Sequence, residues 1–163
     1  MMEATDERED RVVVRGLRPA DLDAVIALDA KNVGRRREQF FRLKLEQNLS
    51  ETGIKVSLAA ELDACFVGFL LARVYYGEFG SLEPVAVLDT IDVHPDFRGH
   101  GVGSALMRQL RVNLVALGVS QLRTEVGWDS QQLMRFLHRE GFRPAARVCL
   151  DLPLEWERVG RRC

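Results

Sequence analysis

A cluster of glycines separates an apolar segment from a helix-like segment in the stretch HPDFRGHGVGSAL, residues 94–106. Gly99, Gly101 and Gly103 occupy alternate positions, although glycine in a helix interior costs roughly 0.5–1 kcal/mol relative to alanine. Close approach of a ligand to the backbone would explain them. Because the first amides of a helix lack acceptors and the helix dipole makes this end partly positive, the stretch predicts an anion site, with phosphate as the expected group.

Two side chains beside the glycines suit the same chemistry. Arg98 carries a permanently charged guanidinium that matches phosphate oxygens, and Ser104 adds a hydroxyl in the first helical turn. An ordinary strand-to-helix turn with a surface arginine is the alternative. A dinucleotide-binding turn is another, because GHGVGS approximates G-x-G-x-x-G and Glu125 follows about twenty residues later. It is disfavoured because the third glycine is replaced by Ser104 and because HPDFR separates the strand from the glycines.

The elements that must position this turn follow from hydrophobic periodicity. VAVLDTIDV is predicted to be a strand that ends at Pro95, and a helix is predicted from Val102 to about Leu117. Upstream, the patterns predict a strand at 11–17, helices from Pro19 or Ala20 and over about 37–49, and a hairpin turning at Asp63–Ala64. Downstream, they predict QLRTEV as a strand, DSQQLMRFLHRE as a helix and FRPAARVCLDL as one or two closing strands. The resulting order is βααβββαβαβ(β), which favours an α/β fold with a mixed, partly parallel sheet.

Composition bounds the function classes. With 163 residues, 47% of them hydrophobic, the chain suits one domain over residues 11–163, preceded by a disordered tail at 1–10. The formal net charge of -1 gives no sign of a nucleic-acid partner, and no apolar run reaches membrane-spanning length. No metal site is expected, because neither the histidines nor the cysteines have ligand spacing: His94, His100, His138, Cys65, Cys149 and Cys163. A cytoplasmic location is the expectation.

The segment LDTIDVHPDFRGHGVGSALM resembles the central motif of the GNAT superfamily of acyl-CoA-dependent N-acyltransferases. That motif reads Arg or Gln, two residues, Gly, one residue, Gly or Ala, and Arg98, Gly101 and Gly103 match it. The later EVGWDSQQLMRFLHREGF is similar to the second motif of the superfamily. The resemblance extends over roughly residues 11–152 and implies a GNAT-type sheet flanked by helices.

The resemblance also implies acetyl-CoA as co-substrate, with no metal. Main-chain amides at the helix start would bind the pyrophosphate of coenzyme A (CoA), a set comprising Arg98, Gly99, His100, Gly101, Val102, Gly103 and Ser104. The strand around Ile91, Asp92 and Val93 would pair its main chain with the pantetheine arm, as an added strand does. This strand and the one at 121–126 are expected to diverge, leaving a cleft where thioester and amine meet.

An acetyl acceptor must be a neutral amine, because an alkylammonium has no lone pair. A carboxylate commonly removes the proton, and the candidates near the predicted cleft are Glu83, Asp89, Asp92 and Glu125. TEVGWDSQQLMRFLHREGF is similar, without gaps, to the ribosomal-protein N-terminal alanine acetyltransferases, which implies Glu125 as the general base. Glu83 is expected to bind the incoming ammonium. For both residues, a purely structural carboxylate is the alternative.

One departure from the family concerns the general acid. Leu137 occupies the position where many relatives carry a tyrosine, and it cannot donate a proton. His138 is a poor substitute because adjacent helical side chains point about 100° apart. Either the thiolate leaves unaided, since the pKa of a thiol is about 8.5, or Tyr75, Tyr76 or water assists.

These observations predict an N-acetyltransferase that moves an acetyl group from acetyl-CoA to a primary amine by direct attack in a ternary complex. The acceptor is a small molecule or a protein amine, and a homodimer is a possible assembly. The alternative is a non-catalytic acyl-CoA-binding sensor or partner-binding module of the same fold, suggested by the missing tyrosine. Acceptor choice is expected in VGRRREQFFRLKLEQ and GEFGSLEP, with residues 35–37 as a solvated basic face and Trp128 in the core.

Overall fold

The computed structural model describes residues 12–49, 55–77 and 80–154. The predicted tail at 1–10 and Cys163 lie outside these residues. Short 3-10 helices at Pro19–Asp21 and Pro95–Phe97 lead towards two of the longer helices. The helices and strands are β1 (Val12–Gly16), α1 (Leu22–Val33), α2 (Glu38–Leu49), β2 (Leu58–Leu62), β3 (Cys65–Tyr75), β4 (Val85–Val93), α3 (Val102–Ala116), β5 (Gln121–Arg123) and α4 (Gln131–Arg139).

The strands form one sheet in the order β1-β2-β3-β4-β5. The pairs β1–β2, β2–β3 and β3–β4 are antiparallel, whereas β4 and β5 run parallel. The β2–β3 hairpin turns at Asp63 and Ala64, whose φ angles of 50° and 64° suit a two-residue turn that matches the twist of the strands. The mixed, partly parallel sheet predicted from the sequence is confirmed.

Helices cover both faces of the sheet. On one face α1 and α2 pack against β3, with α1 also reaching β4, and this core contains Ile26, Phe41, Phe69 and Leu71. On the other face α3 lies across β1 to β4, and its apolar stripe packs on Leu70 and Leu88. The sheet is therefore buried between two layers, as its continuous apolar runs require.

Gly68 on β3 lets α3 approach the sheet closely. A Cβ atom at this position would lie 2.9 Å from Cγ1 of Val102 and 3.1 Å from the carbonyl oxygen of Asp92. Contacts shorter than ordinary packing distances would force one of these groups to move. Because Gly68 of β3 has no side chain, the start of α3 can pack closely against β3 and the end of β4.

The closing strands predicted over FRPAARVCLDL are wrong, and β5 is shorter than QLRTEV. Residues 143–154 have no regular secondary structure. The alternating apolar side chains at the end of this predicted segment are at least 80% exposed: Val148, Leu150 and Leu152. A period-two pattern becomes a strand only where a neighbouring strand supplies hydrogen bonds, and the described residues supply none here.

Substitution of Gly68 tests the close packing of α3. We expect Gly68→Ala to lower the free energy of unfolding by about 1–3 kcal/mol, because the added methyl overpacks Val102 and a backbone carbonyl. Urea denaturation measures the change. Gly16→Ala is the matched control, since Gly16 also lies in a strand but has open space around its Cβ position. Equal effects of the two substitutions would contradict the role given to Gly68.

Candidate active site

The start of α3 has an uncapped glycine turn. Gly101 is the N-cap residue, with φ at 77°, and no side chain caps the helix. The Ala105 amide donates to the Gly101 carbonyl at 2.9 Å, whereas the amides of Val102, Gly103 and Ser104 have no acceptor among the described residues. Gly99 also has a left-handed backbone, with φ at 74°. This geometry, which L side chains rarely adopt, leaves consecutive N–H groups available to an anion.

Gly103 has a different reason to be glycine. A Cβ atom there would lie 3.0 Å from Cε2 of Phe136, so its absence allows α4 to pack on α3. The Ser104 hydroxyl donates to Glu140 at 2.6 Å, and Glu140 lies at the end of α4. Of the groups predicted to contact phosphate, Gly103 and Ser104 thus also hold the two helices together.

Arg98 is exposed, and among the described residues its guanidinium donates to one partner. Nη2 donates to Oδ1 of Asn32, which lies on α1, at 2.5 Å. The Asn32 amide nitrogen in turn donates to Oδ1 of Asp92 at 2.7 Å and to the Val93 carbonyl at 3.1 Å. The imidazole of His100 lies 3.0 Å from the Arg98 carbonyl. Analysis of the sequence missed Asn32, because an asparagine near the end of a helix is not a recognisable signal.

Asp92 lies partly buried on the face of β4 that α1 covers. Burial raises the pKa of its carboxyl from 3.8 to about 6, the Asn32 hydrogen bond lowers it, and the nearby Asp29 carboxylate raises it. Asp29 is fully buried on α1 and accepts from Nε of Arg37 at 2.9 Å. The prediction of a solvated basic face is therefore wrong for Arg37, while Arg35 and Arg36 are exposed.

The sheet opens beyond the third residue pair of β4 and β5. Their pairing ends at Val87 and Arg123, and the Thr124 hydroxyl then donates to the Leu88 carbonyl at 2.8 Å. On its other side β4 stays paired with β3 as far as Val93. The predicted divergence of the two strands thus begins just past this hydroxyl contact.

Backbone direction along the end of β4 follows from one hydrogen bond. The His94 amide donates to the Val67 carbonyl at 2.8 Å, towards β3. Since main-chain groups alternate along a strand, those of Ile91 and Val93 point to the opposite edge, which β5 leaves uncovered. This orientation permits an extended ligand to pair with the strand, although Val93 shares its carbonyl with Asn32.

A bulge interrupts β4 where the sheet opens. Leu71 pairs with Thr90, and the next residue of β3, Ala72, pairs with Leu88, so that Asp89 is the extra residue. The Asp89 carboxylate forms an ion pair with Lys44 of α2 at 2.9 Å. The bulge therefore directs the Asp89 carboxylate towards α2. The sequence of β4 gave no sign of the bulge.

The predicted acid–base residues lie beyond opposite ends of the β4–β5 pairing, and Glu125 is the one at the end where the sheet opens. Glu125 directly follows Thr124, is exposed, and has no ion pair in the part of the chain that the structure describes. Glu83 is exposed in the loop before β4, where its amide nitrogen lies 3.3 Å from Oγ of Ser81. Their roles stay predictions, since Glu83 precedes the first residue pair of β4 and β5 and Glu125 follows the last.

Trp128 and Leu137 lie in opposite environments, one exposed and the other buried. Trp128 is 96% exposed, so its predicted place in the core is wrong. Leu137 is buried where α3 and α4 pack on the sheet. Its side chain therefore contributes to the core, and no proton donor stands at that position.

Comparison with known proteins supports the same fold. The sequence profile described as "Acetyltransferase (GNAT) family" matches residues 24–142, well over half of the chain. The chain belongs to the GNAT acetyltransferase family. Membership indicates acyltransferase chemistry in general and names no acceptor.

Solved structures of GNAT proteins superpose on most of the chain. An aminoglycoside N-acetyltransferase in complex with CoA has a TM-score of 0.73 and 19% identity, and the match covers 87% of this chain and 94% of that one. A ribosomal-protein-alanine N-acetyltransferase from Brucella melitensis biovar Abortus 2308 has a TM-score of 0.69 and 22% identity, with coverage of 88% and 99%. A transcriptional regulator from Bacillus halodurans C-125 has a TM-score of 0.73 and 17% identity, with the same coverage. At these identities the likeness concerns the fold.

Two further properties of the described residues bear on function. None of their helices combines the length and the apolar character needed to cross a bilayer. Their His, Cys, Asp and Glu side chains form no group of three or more that could hold a metal ion. Cys65 and Cys149 are exposed free thiols.

The raised pKa of Asp92 predicts how stability depends on pH. The folded protein retains the Asp92 proton up to about pH 6, whereas the unfolded chain loses it near pH 4. The contribution of Asp92 to the free energy of unfolding therefore falls as pH rises between these values and stays low above them. We expect Asp92→Asn to remove this slope, a difference on the order of 2 kcal/mol between pH 4 and pH 7.

Urea denaturation of the wild type and of Asp92→Asn at several pH values measures this difference. Asp151→Asn is the control, because Asp151 is exposed and should leave the pH dependence unchanged. Parallel pH profiles for the wild type and Asp92→Asn would rule out a raised pKa.

Proposed function

We propose that this protein transfers an acetyl group from acetyl-CoA to a primary amine by direct attack in a ternary complex. The observation that carries the proposal is the uncapped, left-handed glycine turn at Gly101 next to the open edge of β4. A turn of this kind binds anions, and a bare strand edge binds an extended chain. Both features lie in a chain of the GNAT family.

The residues present fit CoA. The amides from Arg98 to Ser104 would bind its diphosphate. Its pantetheine arm would lie along the segment of Ile91, Asp92 and Val93 and would pair with the main chain of Ile91 and Val93, because the main-chain groups of Asp92 face β3. When bound, acetyl-CoA supplies the activated acyl carbon. The first turn of α3 itself contains no acidic residue, while the Glu140 carboxylate that accepts from the Ser104 hydroxyl also lies 3.4 Å from the guanidinium of Arg111.

Glu125 is proposed as the general base. Its carboxylate forms no ion pair within the described ranges. Glu125 directly follows Thr124, whose hydroxyl links β5 to the Leu88 carbonyl of β4. From this position it would accept the proton of the acceptor ammonium, directly or through water, so that the amine becomes nucleophilic. Glu83 is proposed to bind the ammonium before this step. With Leu137 buried, the departing thiolate would take its proton from water or leave as the anion.

A non-catalytic acyl-CoA sensor is the second candidate. Leu137 favours it, because the family's proton donor is missing from that position. The similar structure described as a transcriptional regulator is consistent with it. Release of free CoA separates the two candidates, since a sensor binds acetyl-CoA but does not consume it.

The acceptor and the assembly belong to the proposal as well. A primary amine on a small molecule or on a protein is proposed, consistent with the aminoglycoside and ribosomal-protein substrates named for similar structures. A cytoplasmic location and a homodimer remain predictions. Exposed apolar side chains at Val148, Leu150, Leu152 and Leu154 support self-association, which sedimentation velocity would measure.

The central experiment joins a binding assay to a turnover assay. Acetyl-CoA should raise the Tm of the protein, and a thiol reagent should detect free CoA when an acceptor from a panel of aminoglycosides, polyamines, amino acids and peptide N-termini is added. A Tm shift without CoA release from any amine would favour the sensor. No Tm shift and no heat of binding with CoA would overturn both candidates.

Gly101 provides a specific test of the anion site. We expect Gly101→Ala to raise the Kd for CoA at least tenfold, because a Cβ at positive φ costs about 1–2 kcal/mol per residue and displaces the turn. Gly118→Ala is the matched control: Gly118 has φ at 72°, at the opposite end of the same helix. Both variants should lose similar stability, and calorimetry should find weaker CoA binding only for Gly101→Ala. Equal CoA affinity in both variants would place the diphosphate elsewhere.

Glu125→Gln tests the general base. We expect kcat at neutral pH to fall by about 10²–10⁴-fold while the Kd for acetyl-CoA stays unchanged, because general base catalysis contributes in that range. Glu83→Gln should instead raise KM for the amine with a smaller change in kcat. Asp23→Asn, which alters an exposed carboxylate on α1, is the control. Wild-type turnover by Glu125→Gln would remove this residue from the mechanism.

A further inference from the structure

The side chain of Asn32 has a determined orientation. The guanidinium of Arg98 can only donate, so the Asn32 atom 2.5 Å from it must be the amide oxygen. The Val93 carbonyl can only accept, and it lies 3.1 Å from the other end of the amide, which must therefore be the nitrogen. The same nitrogen donates to Asp92 at 2.7 Å. Three partners thus use both ends of one amide without ambiguity.

These bonds join three separate parts of the fold. Asn32 lies near the end of α1, Asp92 and Val93 end β4, and Arg98 opens the glycine turn. The partners are 60 to 66 residues from Asn32 in sequence. Local chain geometry therefore cannot hold the Arg98 side chain in place, and the long-range amide contact does so.

The contact with Asn32 leaves most of the Arg98 guanidinium available. Arginine has five N–H donors, and Asn32 accepts from one nitrogen, Nη2. An exposed arginine loses much rotamer freedom when it binds a ligand, and a side chain already held loses less. Pre-ordering by Asn32 would consequently favour binding of an anion at the turn.

The polar groups behind Asn32 are themselves fixed. Asp92 is approached by the Asp29 carboxylate of α1, and Asp29 is held by the Arg37 guanidinium from the segment before α2. The positive charge of Arg37 also lowers the pKa of the Asp92 carboxyl, and Arg98 is connected to Asp92 through the Asn32 amide. Phe69 of β3, which pairs with Asp92, adds no charge.

We propose that Asn32 is a positioning residue for CoA, whose amide holds the Arg98 guanidinium beside the glycine turn and anchors it to the end of β4. This inference rests on the proposed function, because it assigns the anion at the turn to the phosphates of CoA. Asn32 itself acts through Arg98.

A double-mutant cycle on CoA binding tests the proposal. With isothermal titration calorimetry and CoA as the probe, we expect Asn32→Ala to raise the Kd about tenfold and Arg98→Ala to raise it at least as much. The double variant should bind no more weakly than Arg98→Ala alone, because Asn32 has nothing to position once Arg98 is gone. Asn113→Ala is the control, because it removes a side-chain amide that accepts from Gln109 near the C-terminal end of α3.

Asn32→Asp adds a pH-dependent readout that a merely structural role would not show. Its carboxylate still accepts from Arg98 but cannot donate to Asp92 while both acids are ionised. Once Asp92 is protonated it can donate to the new carboxylate, so the ratio of variant to wild-type Kd should be larger at pH 8 than at pH 5.5. This variant also serves if Asn32→Ala fails to fold.

The outcomes separate the inference from the proposed function. Unchanged CoA affinity in Asn32→Ala, additive losses in the double variant, or a pH-independent ratio for Asn32→Asp would each overturn the role of Asn32 while leaving CoA binding intact. Failure of the wild type to bind CoA would overturn the proposed function, and the inference with it.

Discussion

The structure depends on main-chain N–H groups at the start of α3 that have no hydrogen-bond partner within the described part of the chain. Gly101 takes a left-handed conformation there, no side chain of that part caps the helix, and Gly68 lets the helix pack closely against β3. These amides are solvated or bound to an anion, because unpaired buried amides are costly. The position of α3 then places these amides directly beside the end of β4, where the proposed diphosphate would lie.

The site draws on both layers around the sheet. From one face, α3 supplies the amides and packs through Gly103 on Phe136 of α4. From the other face, α1 supplies Asn32, which reaches around the end of β4 to Arg98. The sheet opens between them because β5 pairs with β4 over only three residues. Binding and acid–base functions can therefore be divided between rigid elements rather than placed on one loop.

The sequence was sufficient for the elements with strong local signals. Periodicity located the helices and most strands, and the R-x-x-G-x-G spacing located the turn that has positive φ at Gly99 and Gly101. Features that depend on distant partners were missed: the Asp89 bulge, the burial of Arg37 against Asp29, and the Asn32 contacts. The closing strands failed for the same reason, since alternation in residues 148–154 describes one strand and says nothing of a neighbour.

The uncovered edge of β4 has a consequence for selectivity. Main-chain donors and acceptors are the same for every residue. A ligand lying along Ile91 to Val93 would therefore be recognised by the spacing of its own amide groups and not by its substituents. Under the proposed function, discrimination among acyl chains would then arise deeper in the gap between β4 and β5, where the bulge at Asp89 and the short pairing with β5 set the width of the gap. A change in that width would alter which thioester fits while leaving the main-chain contacts of the carrier in place.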